Sequence, residues 1–148
     1  MKKIFLCLIC LNLSVFADFI RSSNNTVFDT ETNLEWQDSR LSSLNWKDAI
    51  NYCNNLSLAG GNWRLPNINE LQSLYLHNKF NQYKAVFQSK GRIFHNFWSS
   101  TTAIYFKDYY GKKYTDYAYI SGGSRFIVMD VSYKKNREFV RCVRGTPQ

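Results

Sequence analysis

Histidine is scarce in this 148-residue chain, proline equally so, and cysteine falls to a single pair once the N-terminal leader is set aside. The two histidines, His77 and His95, stand in no HxxxH, CxxC or Ser/His/Asp pattern, which argues against a zinc site and against acyl transfer. Both read as surface or helix-end residues. Carboxylates are scattered rather than clustered, so the oxygen-rich shell that calcium needs is not in view. No apolar run reaches the length that crosses a bilayer. Nor is there an internal repeat, a low-complexity tract or a linker, which leaves one domain as the expectation.

What is present begins with a leader. Met1-Lys2-Lys3 precedes an apolar run from Ile4 to Leu11, and Val15 and Ala17 are small residues ahead of Asp18. This is the pattern of a secretory signal over residues 1–17, leaving 18–148 as the mature domain without a transmembrane segment. Ile9 before Cys10 and Leu6 before Cys7 do not suit lipoprotein processing, so no lipid anchor is expected. Cys7 and Cys10 depart with the leader, and Cys53 and Cys142 remain. An even pair in an oxidising compartment points to a disulfide, with a free reactive thiol at Cys142, flanked by Arg141 and Arg144, as the alternative. Such a bridge closes a long loop worth about 4–5 kcal/mol in the chain-entropy account. The precursor carries +8; losing Lys2 and Lys3 leaves 17 basic against 11 acidic residues, or +6. That balance favours anionic partners, though plain solubility explains it equally well.

Along the chain, Val27-Phe28 and Leu34-Trp36 flank a turn-forming stretch from Asp29 to Asn33, predicting an opening hairpin. Trp46, Ala49, Ile50, Cys53 and Leu56 then recur at helical spacing behind Asn45 as N-cap, with Cys53 on the buried face and Gly60-Gly61 as the stop. Asn67 with Glu70 three residues on predicts a capping box for a second helix striped by Leu71, Leu74 and Tyr75. Pro66 blocks its backward extension. Beyond residue 94 the pattern is strand-like: Phe97 to Thr102, Tyr117 to Ile120, Phe126 to Met129 and Phe139 to Val143, with Ser121 to Ser124 as a hairpin turn. Hairpin, two helices and a run of strands make an α+β arrangement.

The segments DTETNLEWQD, WKDAINYCNNL, GGNWRLPNINELQSL, FWSSTT and FVRCVRG, in this order from about Val27 to Gly145, resemble the Lcl C-terminal domain family of bacterial exported domains. The resemblance implies a C-type-lectin-like fold: two helices, a small mostly antiparallel sheet and one disulfide. Cys53 and Cys142 fall in the places of that fold's helix-to-last-strand bridge. It also implies a binding role, since relatives include an adhesin for sulfated glycans. The calcium-dependent sugar motifs of C-type lectins are missing, because Pro66 and Pro147 are the only prolines and Ser99-Ser100 follow Trp98. Formylglycine-generating enzymes share the broad fold, but their cysteine chemistry has no sulfur left if the one pair is a staple. No catalytic residue, cofactor or metal is expected.

In that fold the stretch over residues 103–117 carries variable loops. Here Tyr105, Tyr109, Tyr110 and Tyr114 interleave with Lys107, Lys112 and Lys113. Tyrosines offer a flat apolar face with a polar tip and lysines attract anions, so these seven are the candidate ligand-binding residues. The alternative is that half of the tyrosines alternate into the sheet as core. Lys134, Lys135, Arg137, Arg141 and Arg144 form a second basic cluster, with Arg141 on the opposite strand face from Cys142 and read as solvated. Without a recognised motif, and given export, nucleic acid is not an expected partner. The expectation is a secreted or periplasmic adhesion or ligand-binding module for an anionic glycan or a host protein. The alternative is an envelope assembly component that docks another protein.

Overall fold

The computed structural model describes residues 19–75, 79–89, 95–104, 115–122 and 129–148. Two short strands, β1 (Phe19–Arg21) and β2 (Thr26–Asp29), pair antiparallel, and β2 pairs in turn with β3 (Leu34–Gln37). Val27 opposes Trp36 in that register and both are fully buried, as the predicted hairpin requires. Asn33, at φ 56°, supplies the left-handed residue that turns the chain.

After β4 (Ser42–Leu44), Asn45 caps α1 (Trp46–Asn54) by accepting the Asp48 N–H at 3.0 Å. Ala49 and Cys53 lie on its buried face, as their spacing predicts. A short 3₁₀ turn over Leu58–Gly60 ends the segment, with Gly60 and Gly61 at positive φ. In α2 (Ile68–Ser73) the capping box forms, Asn67 Oδ1 accepting from the Glu70 N–H and Glu70 Oε2 from the Asn67 N–H. Of the predicted stripe, Leu71 and Leu74 are buried and Tyr75 is half-buried, the last two lying just past the end of the helix.

A third helix, α3 (Lys79–Val86), was not foreseen, so the expectation of two helices is corrected to three among the described residues. Tyr83 within it and Phe87 just after it are its described buried apolar contacts, too brief a stripe to stand out by periodicity. The remaining strands are β5 (Asn96–Ala103), β6 (Tyr117–Gly122), β7 (Asp130–Tyr133), β8 (Glu138–Val140) and β9 (Val143–Arg144). Of the strand expected over Phe126 to Met129, Phe126 to Val128 lie outside the described residues, and only Met129 is corrected: it is exposed and outside any strand, and the described pairing begins at Asp130. The strand expected from Phe139 to Val143 is likewise two strands, broken at Arg141-Cys142.

That break lets consecutive residues serve different sheets. One sheet runs β1-β2-β3-β9 and the other β4-β8-β5-β6-β7; every pair is antiparallel except β5 with β8. The single small sheet of the expectation is therefore two. Phe97 and Trp98, adjacent on β5, point into two separate cores. One gathers Val27, Leu34, Trp36, Leu71, Leu74, Phe87, Phe97 and Val143; the other gathers Ala49, Cys53, Trp63, Trp98, Ile120, Val140 and Cys142. Within the second core Cys53 and Cys142 are disulfide-bonded, with Cα atoms 5.5 Å apart.

Candidate functional site

Three chain segments converge at the N-terminal turn of α1, and backbone hydrogen bonds stitch them together. The Trp46 N–H donates to Lys134 O at 3.1 Å, and the Lys134 N–H donates to Asp116 O at 2.7 Å. Side chains tighten the same junction. Trp46 Nε1 donates to Ser99 O at 2.8 Å, which fixes the indole against β5. Lys134 Nζ donates to Thr102 Oγ1 at 2.9 Å and sits 4.1 Å from the centre of the Trp46 ring.

Around this junction lies an open cleft of about 430 Å³, lined by Asn45, Trp46, Lys47, Asp116, Tyr133, Lys134 and Lys135. Three lysines, one aspartate and two aromatic residues thus line the same opening. Tyr133 is held by the ring of Tyr117, its cross-strand partner, at 5.4 Å. Partial burial lowers the pKa of Lys134 from its ordinary value, and the nearby Asp116 carboxylate offsets part of that shift. A cation held in this way on an indole face, with an oxygen acceptor behind it, can attract an oxyanion without further rearrangement.

All seven candidate residues between Tyr105 and Tyr114 lie outside the described residues. The cleft sits where the chain returns from that stretch, since Asp116 lines it and Tyr117 starts β6. The second basic cluster does not stay together. Lys134 and Lys135 line the cleft, Arg137 donates to Ser43 O, and Arg144 pairs with Glu35 at 2.6 Å and lies over Trp63 at 4.8 Å.

Arg141 is a correction. Its alternation with Cys142 holds, but the face is core rather than solvent: the side chain is fully buried and packs on Phe87, Phe97 and Tyr83. It donates to Gln37 O at 2.6 Å and to Ser89 O, with the Asp38 carboxylate at 3.7 Å. The environment compensates the buried charge, so Arg141 is structural.

His95, expected at the surface or a helix end, is half-buried just ahead of β5 and stacks on Phe139 at 3.9 Å; His77 lies outside the described residues. Glu70 serves as the helix-start residue and also binds Arg64 through both oxygens, at 2.7 and 2.8 Å. Among the described residues no three His, Cys, Asp or Glu side chains gather where they could hold a metal.

The sequence model of the Lcl C-terminal domain matches residues 25–144, which takes in both cysteines, α1, α2 and the cleft. The chain belongs to that family. A search of the curated proteins returns no match. In this Lcl C-terminal domain the cleft residues Trp46, Tyr133 and Lys134 were not singled out from the sequence as a site. Trp46 fits the helical stripe and reads as core, yet as the first helical residue it stands at the open end of α1. The Tyr-Lys-Lys run at 133–135 was a usable signal: a strand end that presents an aromatic beside two cations.

Proposed function

We propose that this Lcl C-terminal domain is a calcium-independent ligand-binding or adhesion module that takes anionic glycans in the cleft between α1 and the end of β7. The observation that carries the reading is the ammonium of Lys134 seated on the Trp46 indole, with Lys47 and Lys135 at the same opening. Cations attract the acidic substituents, while Tyr133 and Asp116 offer an apolar face and a hydroxyl acceptor to the sugar. A C-type-lectin-like fold belongs to the same proposal, supported by the bridge from the first helix to the residue before the last strand. So does export to the periplasm or the exterior, where such a bridge persists. No catalytic step is part of the reading, because the two cysteine sulfurs among the described residues are bonded to each other.

The test is retention on immobilised heparin with a salt gradient. The wild-type domain is expected to bind at low salt and to elute as screening grows. A Lys134→Ala, Lys135→Ala variant should elute at clearly lower salt, and an unchanged profile rejects the cleft. Lys112→Ala with Lys113→Ala examines the neighbouring stretch in the same assay.

A second reading, an envelope component that docks another protein, rests on Ile20 and Phe28. They are cross-strand partners on β1 and β2, and both are exposed. Salt-insensitive co-purification with one envelope protein, lost in Ile20→Ser, favours that reading.

A further inference from the structure

The three lysines of the cleft are not equivalent. Lys47 and Lys135 are exposed, and Lys135 Nζ lies 5.8 Å from the centre of the Tyr133 ring. Lys134 is half-buried, 4.1 Å from the Trp46 ring centre and hydrogen-bonded to Thr102 at 2.9 Å. Its backbone is tied on both sides, through the carbonyl to Trp46 and through the N–H to Asp116. A free lysine loses about 2 kcal/mol of rotamer entropy when a ligand immobilises it, whereas one already held loses less. An ammonium has three donors. Among the described residues Thr102 is its hydrogen-bond acceptor, which takes one of the three N–H groups.

We infer that Thr102 and Trp46 are positioning residues that fix the Lys134 ammonium as a preformed ligand for one compact oxyanion substituent, a sulfate ester or carboxylate, of the bound glycan. This rests on the glycan-binding reading and adds the residues that set its selectivity. Because the ammonium already lies over one face of the indole, that face is closed to stacking by a sugar ring. The cleft therefore reads charge at Lys134 and leaves ring contact to Tyr133. Trp46 acts through Lys134, anchored by its own bond to Ser99 O.

The groups that share the charge environment of Lys134 are Asp116, which favours its charged form, and the cleft residues Lys47, Lys135 and Tyr133. Thr102 from β5 and Trp46 from α1 complete the contact without titrating. A change confined to Thr102 therefore leaves the other titrating groups in place. Burial already lowers the pKa of Lys134, and removing the hydroxyl acceptor lowers it further, since that bond favours the charged form.

The experiment measures affinity for a heparin-derived octasaccharide between neutral and alkaline pH in four variants of the mature domain. Thr102→Val, nearly isosteric and suited to a strand, is expected to bind roughly tenfold more weakly, the scale of one hydrogen bond to a charged group. It should also lose binding at a lower pH than wild type. Thr102→Ser, which keeps the hydroxyl, should restore both, and Trp46→Leu should behave like Thr102→Val. If Lys134→Ala weakens binding while Thr102→Val matches wild type in affinity and pH midpoint, positioning is overturned and the glycan reading stands. Failure of Thr102→Ser to restore binding overturns it equally, by assigning the effect to packing. No effect of Lys134→Ala overturns both.

Discussion

Arg141 shows how a single residue can be placed correctly by alternation and still be misread. Strand periodicity puts it opposite Cys142, and it is opposite; whether that face meets water depends on what packs there. Here Tyr83 and Phe87, from α3 and the residue just after it, close over the guanidinium, and Asp38 with the carbonyls of Gln37 and Ser89 compensates it. Asp38 also accepts the backbone N–H groups of Gln88 and Ser89, at 2.9 and 2.8 Å, and pairs with Arg21. Removing the arginine leaves Asp38 buried with less positive charge and opens a large void. Arg141→Ala is therefore expected to destabilise the domain by about 3–5 kcal/mol, read from urea unfolding. A loss below 1 kcal/mol would mean that the charge is solvated after all.

Among the elements, the helices that announce themselves do so through their ends. Asn45 before Asp48, and Asn67 before Glu70, are local signals, because a cap needs only a side-chain oxygen three residues from an unpaired N–H. Both form as read. Asn67→Ala removes one half of the capping box beside the pair of half-buried Arg64 with buried Glu70. The expected cost is about 1 kcal/mol by chemical denaturation, with the Glu70 contact to Arg64 retained. The α3 helix lacks an acidic residue in its first turn, and its buried stripe among the described residues is narrow. Its position follows from contacts made at a distance: Lys79 is paired with Asp29 and Glu31, each at 2.8 Å, and Phe87 packs edge-on against Phe19 at 5.4 Å. The division of the last strand into β8 and β9 was hidden for a similar reason. Phe139 to Val143 alternates without interruption, and nothing local says that Val140 pairs with Ser42 while Val143 pairs with Trp36.

For the whole molecule the decisive link is the bridge between Cys53 and Cys142, 89 residues apart. It joins α1 to the two-residue step between the sheets, inside the second core. The Gln37 side chain holds the same step, accepting the Cys142 N–H at 3.1 Å, while the Gln37 backbone N–H donates to Cys142 O at 2.9 Å. Reduction followed by alkylation, or Cys53→Ala with Cys142→Ala, should lower stability by about 4–5 kcal/mol if the chain-entropy account holds. The loss is measured by comparing oxidised and reduced unfolding midpoints. Because α1 also carries one wall of the cleft, heparin retention should fall in parallel. Stability unchanged on reduction would show that packing alone joins the two sheets.

Sequence alone determined the α+β class, the opening hairpin, both capped helices, the burial of Cys53 and most of the strand-forming segments. Each of these depends on residues within a few positions of one another, where side-chain period and cap chemistry act directly. Tertiary structure alone decided that the sheets are two, that Arg141 is core, that α3 exists, and that Trp46 meets Lys134. Those outcomes depend on which distant surfaces come together, and a pairing across 88 residues, such as Trp46 with Lys134, leaves no trace in the periodicity of either segment.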